Sequence, residues 1–502
     1  MNYRVVNAEL PSPPSSTATR YSPHLRTALV LTGTGTAGAY HAGVLRALHE
    51  AGVKIDLVAG RGIGAVGAAF AAVDGASQLW GPAGLWSGRG ATRLYRWRPT
   101  LRAAAWMLGA ALGALVLPLG VVVSAVLVYP LAYLLGVIGL AGGEGLTTGF
   151  GRLVEWVFAP AVLPIWLPRL VVVALTCLLA VLVCAAGLAR MRARAPRRTR
   201  GALWWVLLGA PLGVRRALGW LADGLWKMMR GAASIARPGP EDLGQRYTEL
   251  LSENLGQPGF RELLITAHDL DGRRDLVFAL LSEPYRQRFF RKRVGETEGD
   301  RQLEALDLAG DARRHGFDAL AAALSLPVAT EPWLVRFSSG SRWRGETHRV
   351  CDRPDAVGRL LDEVAQAGAA QVILVSALSG PTGPHALGAG RRDGRGRIGE
   401  ALSAMESAAI RDAITSRAGL FRAVFEIRPA HNPLGPFDFA GCYDERSDRT
   451  QSLVELLERG YDDGHQQFVG PVVGASGEQI EPPPQPNRAE DPRSQWSDGR
   501  SQ

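Results

Sequence analysis

The chain has almost no lysine: Lys54, Lys227 and Lys292 are the only ones among 56 basic residues, so arginine carries the formal charge of +9. A basic excess admits nucleic acid or an anionic membrane surface as partner, and the position of the arginines relative to apolar runs decides between them. Here they flank apolar tracts, which points away from nucleic acid. Cysteine is scarce as well. Cys177 and Cys184 lie inside an apolar run, and Cys351 and Cys442 stand far apart without CxxC or Cys/His spacing, so free thiols and no structural metal are expected. No cofactor is expected either. The first 24 residues are rich in Pro, Ser and Thr and lack the charged-then-apolar pattern of a secretory signal, which predicts a disordered, retained leader.

Charge is absent altogether from Ala103 to Gly143, a stretch of 41 residues. About 20 apolar residues suffice for a helix to cross the hydrocarbon core. A second tract runs from Trp156 to Pro168, is broken by Arg169, and continues uncharged from Leu170 to Ala189. Arg89, Arg93, Arg96, Arg98 and Arg102 precede this region, and Arg190, Arg192, Arg194, Arg197, Arg198 and Arg200 follow it. By the positive-inside rule both flanks are cytoplasmic, which requires an even number of crossings. Two long, tilted spans are expected, or four if Pro118 and Pro130 break the first tract. Leu218, Leu221, Leu225 and Met228 then recur at helical spacing beside Arg215, Arg216, Lys227 and Arg230, as in an amphipathic helix on a membrane surface.

The remainder reads as α/β. Ala28 to Leu31 is a continuous apolar run of the kind that forms a buried parallel strand. A glycine-rich turn follows, then helical spacing from Gly38 to Ala51, then strand-like Leu57-Val58-Ala59. This order makes one βαβ unit. Leu263 to Thr266 and Gln371 to Val375 read as later strands. The implied division is a leader over 1–24, a first α/β part over 25–88, a membrane insert over 103–189, an interfacial helical segment over 202–236, a second α/β part over 240–472 and a polar, disordered tail over 475–502.

The turn Gly33-Thr34-Gly35-Thr36-Ala37-Gly38 matches the GxGxxG pattern, which alone allows a nucleotide-binding module. A Rossmann reading requires an acid closing the second strand. Asp56 precedes that strand and Arg61 follows it. Taken together, Leu31–Leu45 and Asp56–Ala65 resemble the opening of patatin-like phospholipases, with Gly43-Val44-Leu45 and Ala51–Val53 fitting closely. Leu263–Asp269 and Ala321–Pro327 resemble later segments of the same family.

The resemblance implies a three-layer patatin-like α/β domain with a mainly parallel sheet, interrupted by the transmembrane helical insert. It also implies phospholipid or another acyl lipid as partner. The first loop, with Gly33, Gly35 and Gly38, would hold the oxyanion, and the second strand would end in a G-x-S-x-G nucleophile elbow. The elbow here is Gly60-Arg61-Gly62-Ile63-Gly64, so Gly62 stands where the nucleophile belongs, and no G-x-S-x-G occurs anywhere in the chain. The family's aspartate base falls on Asp352, within Val350-Cys351-Asp352-Arg353-Pro354, without its usual glycines. The expected protein is therefore a membrane-anchored lipid-binding or regulatory pseudoenzyme, its α/β part cytoplasmic at a bacterial inner membrane. The alternative is an active acyl hydrolase with another nucleophile. His41 on the first helix, Thr34 and Thr36 in the loop, and a basic cluster of Arg286, Arg288, Arg291, Lys292 and Arg293 with Phe289 and Phe290 complete the candidates, the last as a headgroup contact.

Overall fold

Two separated stretches of sequence meet in one sheet. The computed structural model describes residues 21–88, 90–139, 142–160, 163–192, 209–231, 233–291, 298–383 and 390–474. Most of the leader, part of the arginine flank after Arg192, Lys292 and Arg293, and the tail lie outside the described residues.

In the α/β unit, β1 (Thr27–Thr32) leads into α1 (Ala37–Glu50), and β2 (Leu57–Gly60) into α2 (Gly64–Ala72). β1 lies at the centre, parallel to β2 on one side and to the strand Gln371–Ser376 on the other. β2 pairs in parallel with Glu262–Asp269, beyond the insert, in the register Leu57↔Glu262. The main path runs Ala423–Ile427, Gln371–Ser376, β1, β2, Glu262–Asp269, Arg274–Leu280, Ala305–Asp307, with Thr347–Cys351 pairing to Glu262–Asp269 and Trp333–Arg336 to Thr347–Cys351 off it. The middle is parallel, and Arg274–Leu280 runs antiparallel to Glu262–Asp269. This is a mixed, mostly parallel sheet. Every residue of β1 and of Gln371–Ser376 is buried, which accounts for their unbroken rather than alternating apolar pattern.

Helices cover both faces. Ala28, Val30, Leu57 and Ala59 share one core with Val357, Leu360, Leu361 and Val364 of the helix Val357–Gln366 and with Ile410 and Ala413 of Gly394–Arg417. Leu31 of β1 reaches α2 on the other face, where a Cβ on Gly67 would touch its side chain. The carboxyl ends of β1, β2 and Glu262–Asp269 thus converge at one edge, where ligand crevices of open α/β sheets form.

The helix Arg215–Arg230 belongs to this unit and departs from expectation. Its apolar stripe is not free to lie on a membrane: Leu218, Leu221, Leu225 and Trp226 are buried in the protein. The amphipathic period was correct, but the partner of the apolar face is the protein's own core.

A second unit spans 96–213 with 329–331. It contains the helices Pro99–Val137, Gly143–Phe158 and Leu163–Arg192. Pro118 and Pro130 lie inside an uninterrupted first helix rather than at breaks. Within this unit Pro99–Val137 and Ile165–Leu188 are long and apolar enough to cross a membrane, with only 6% and 0% of their most apolar windows buried. Val126 and Leu127 are 71% and 74% exposed. An apolar helix of a water-soluble core buries such side chains. These two present them outward.

Candidate functional site

The edge where β1 and β2 end is built from two tight turns stacked on each other. After β2, the chain reverses through Gly60–Gly64 so that α2 starts at once, and Gly62 adopts φ +55°, a left-handed conformation that favours glycine. The N–H of Ile63 donates to the Gly33 carbonyl at 3.0 Å, and that of Arg61 to the Leu31 carbonyl at 3.2 Å, locking elbow to loop. A Cβ on Gly62 would stand 2.3 Å from the Gly33 oxygen and 3.1 Å from Oδ2 of Asp352. Gly62 and Asp352 are therefore neighbours in space although 290 positions separate them in the chain. Asp352 follows the strand Thr347–Cys351, and its N–H donates to the Ser325 carbonyl at 2.7 Å.

The partner of Asp352 is Arg61. Its Nε donates to Oδ1 of Asp352 at 3.2 Å and its Nη2 to Oδ2 at 2.7 Å, a bidentate fork. Its Nη1 lies 2.9 Å from Oε1 of Glu406, on the helix Gly394–Arg417. All three side chains are at most 2% exposed. Burial opposes the charge on Arg61, but the two carboxylates outweigh it and its pKa moves up. For Glu406, burial raises the pKa against the pull of Arg61. The result is a dry, nearly closed ion triad. Sequence reasoning missed Arg61 and Glu406. The available signal was the arginine itself, since a charged residue between an apolar strand and an all-apolar helix has to be paired when buried.

The glycine-rich loop is also engaged. The Thr36 N–H donates to the Pro436 carbonyl at 3.1 Å and its hydroxyl to the Gly435 carbonyl at 2.9 Å. The Pro436 carbonyl comes so close to Gly35 (φ +59°) that a Cβ there would sit 1.9 Å from it. The strap carrying Pro436 is pinned by Asn432 to Ala377, by Arg391 to Asp438, and by Arg395 to the Phe437 carbonyl. Tyr95 packs between Phe437 and Phe439, at 5.9 and 6.2 Å. Gly38 lies under Trp86, whose ring leaves no room for a Cβ. Loop and elbow are buried as a whole. The Thr36 N–H and hydroxyl are thus committed to the protein, and β2 is followed by Arg61 where a nucleotide fold needs an acid.

The other candidates resolve in place. His41 is fully buried beside Gly33, and burial, with Arg61 adding to it, lowers its pKa to about 4, so the ring is neutral near pH 7. The Thr36 hydroxyl is held by the strap through the Gly435 carbonyl, and that of Thr34 is buried. Cys351, next to Asp352, is pushed up to about 12 by burial and the adjacent charge, so it is no thiolate. All four cysteines are free. In the basic cluster Phe289 lies in the core beneath Arg301, and Arg286 is held by Asp307 at 2.6 Å. Phe289 therefore does not reach a lipid surface. Among the described residues no group of three or more His, Cys, Asp or Glu side chains is placed to hold a metal.

Among solved structures, the crystal structure of VipD from Legionella pneumophila is similar at 14% identity over 89% of this chain and 67% of that one, with a TM-score of 0.28. No curated protein matches the chain. The family model described as patatin-like phospholipase matches residues 29–115, which hold β1, the glycine-rich turn, the elbow and the start of the first long apolar helix. Over that stretch the chain carries a patatin-like phospholipase domain.

Proposed function

We propose that this protein is a membrane-anchored patatin-like pseudoenzyme. A family of this kind implies lipid acyl hydrolase chemistry, in which a hydroxyl attacks the ester and an aspartate takes its proton. The observation that carries the reading is the pairing at the elbow. Gly62 has no oxygen, and the aspartate beside it is bound by a bidentate arginine instead of a hydroxyl. The strap over the glycine-rich loop supports the same conclusion, because part of the loop's donor capacity is already used. No specific observation favours a substitute nucleophile.

Two outward-facing apolar helices support an anchor of two spans, and the arginines at both ends of the insert are the reason to propose the α/β unit on the cytoplasmic side. The α/β unit then serves lipid metabolism by binding or regulation rather than by hydrolysis. The test is release of fatty acid from phospholipid and short-chain esters by detergent-purified protein, compared with its Asp352→Ala variant. The expected result is the same background for both. Hydrolysis by the natural protein that disappears with Asp352→Ala overturns the reading.

A further inference from the structure

The elbow is sealed, but the same unit carries an open cavity elsewhere, between the loop Ala83–Arg93 and the docked helix Arg215–Arg230. It measures about 540 Å³. Glycines let its walls approach each other: a Cβ on Gly90 would stand 3.1 Å from the Trp220 ring, and one on Gly224 would be 2.6 Å from the Leu85 side chain. The floor is apolar, with Phe70, Leu85 and Trp220, and the Trp220 indole N–H donates to the Leu85 carbonyl at 3.2 Å. The rim is basic. Arg93, Arg216 and Lys227 line it and are exposed.

Its charge is unbalanced. Asp223, the one acid of the lining, is held by Arg237 at 2.6 Å, outside the lining. Lys227 donates only to the Ala83 carbonyl, and neither Arg93 nor Arg216 is paired with a carboxylate among the described residues. Guanidinium groups left without a carboxylate beside a concave surface suit a phosphate, which they bind through paired N–H donors. In sequence, Arg93 stands six residues before the long apolar helix that begins at Pro99, and the docked helix follows directly on the strand Leu212–Gly213. A volume of this size accepts a headgroup with its glycerol, not a whole two-chain lipid.

We infer that this cavity binds the phosphate headgroup of an anionic glycerophospholipid drawn from the membrane that holds the insert. The site rests on the membrane part of the proposed function, and it does not depend on whether the elbow is catalytic. Arg93 and Arg216 take the phosphate, Lys227 adds charge, and Trp220 covers the glycerol and first methylenes. Clusters of Lys and Arg close in sequence to a membrane span recognise anionic headgroups by their charge.

The test uses the full chain in neutral detergent, with calorimetric titration of dihexanoyl phosphatidylglycerol, dihexanoyl phosphatidylcholine and inorganic phosphate. Phosphatidylglycerol is expected to bind at least tenfold more tightly than either of the others. The double variant Arg93→Gln/Arg216→Gln should weaken it at least tenfold, with an unchanged melting curve because both side chains are exposed. The control Arg314→Gln, elsewhere on the same unit, should leave binding as in the parent. Equal affinity for inorganic phosphate and phosphatidylglycerol makes this a free-phosphate site and overturns the membrane assignment. Binding that is absent, or unchanged in the double variant, overturns the site itself. Fatty acid released from the titrated lipid during the run would sink the pseudoenzyme reading while leaving the headgroup site standing.

Discussion

Replacing Arg61 by methionine tests whether the elbow is now a structural element. The arginine is the hub of the triad: it faces Asp352 at 2.7 Å and Glu406 at 2.9 Å, with all three side chains shut from water. Removing it leaves two carboxylates in a site that cannot hydrate them. Breaking a buried ion pair from one side costs about 3–5 kcal/mol, because the surviving charge is uncompensated. Asp352→Ala is milder, since Arg61 keeps Glu406, and the loss should be nearer the 1.5–3 kcal/mol of roughly one charged hydrogen-bond set. The triple variant Arg61→Met/Asp352→Val/Glu406→Val, of similar total volume, should recover most of the loss, as buried triads exchanged for apolar residues commonly do. Urea denaturation of the detergent-purified chain, followed by circular dichroism, reads all three. If Arg61→Met unfolds within about 1 kcal/mol of the parent, or if the triple variant is worse than the single, the ion triad is not what holds the elbow.

Other expectations follow from the same geometry. His41 has its pKa lowered to about 4 in the fold against about 6.5 when unfolded, so the unfolded state binds the extra proton between those values. Stability is therefore whole above pH 6.5 and falls by about 3 kcal/mol as pH drops to 4; His41→Leu should flatten that limb of a denaturation–pH profile, and an equally steep profile in the variant would refute the assignment. Gly62→Ser should lower stability by at least the roughly 1–2 kcal/mol of a left-handed non-glycine residue, with more from the 2.3 Å approach to the Gly33 carbonyl, and should leave ester hydrolysis at background. Leu221→Ala, on the docked helix, should cost about 2–5 kcal/mol in the same denaturation, whereas a helix resting on lipid would show changed membrane partitioning and little loss of stability.

The parts of the fold that depend on near neighbours were legible. An apolar run, a glycine turn, a 3.6-residue period and a second apolar run define β1, α1 and β2 within a residue or two, because strand burial and helix amphipathicity leave local patterns. The motif order also led to Asp352, and the structure sets it beside Gly62. The rest depended on pairings no local pattern encodes. Arg61 meets Asp352 across 291 residues, and the strap meets Thr36 across 399. In a chain whose basic charge is nearly all arginine, one buried arginine looks like the many solvated ones. The stripe Leu218–Leu221–Leu225 shows the same limit from another side: periodicity announces an apolar face, but not whether lipid or protein covers it.

On the proposed reading, these pairings make the inertness of the elbow distributed rather than the effect of one substitution. A serine at position 62 would need the Gly33 carbonyl to retreat, which strains the Ile63 hydrogen bond that joins elbow to loop. Its hydroxyl would then meet an aspartate whose two oxygens already accept from a cation, and the Thr36 N–H of the glycine-rich loop would still be donating to Pro436. Each obstacle alone removes a different requirement of acyl transfer: nucleophile position, proton acceptance, oxyanion binding. Activity should accordingly stay at background in Gly62→Ser and in Gly62→Ser/Arg61→Met alike, as fatty-acid release would show. Activity that appears in the double variant would assign the block to Arg61 alone and would mean that the strap yields to substrate.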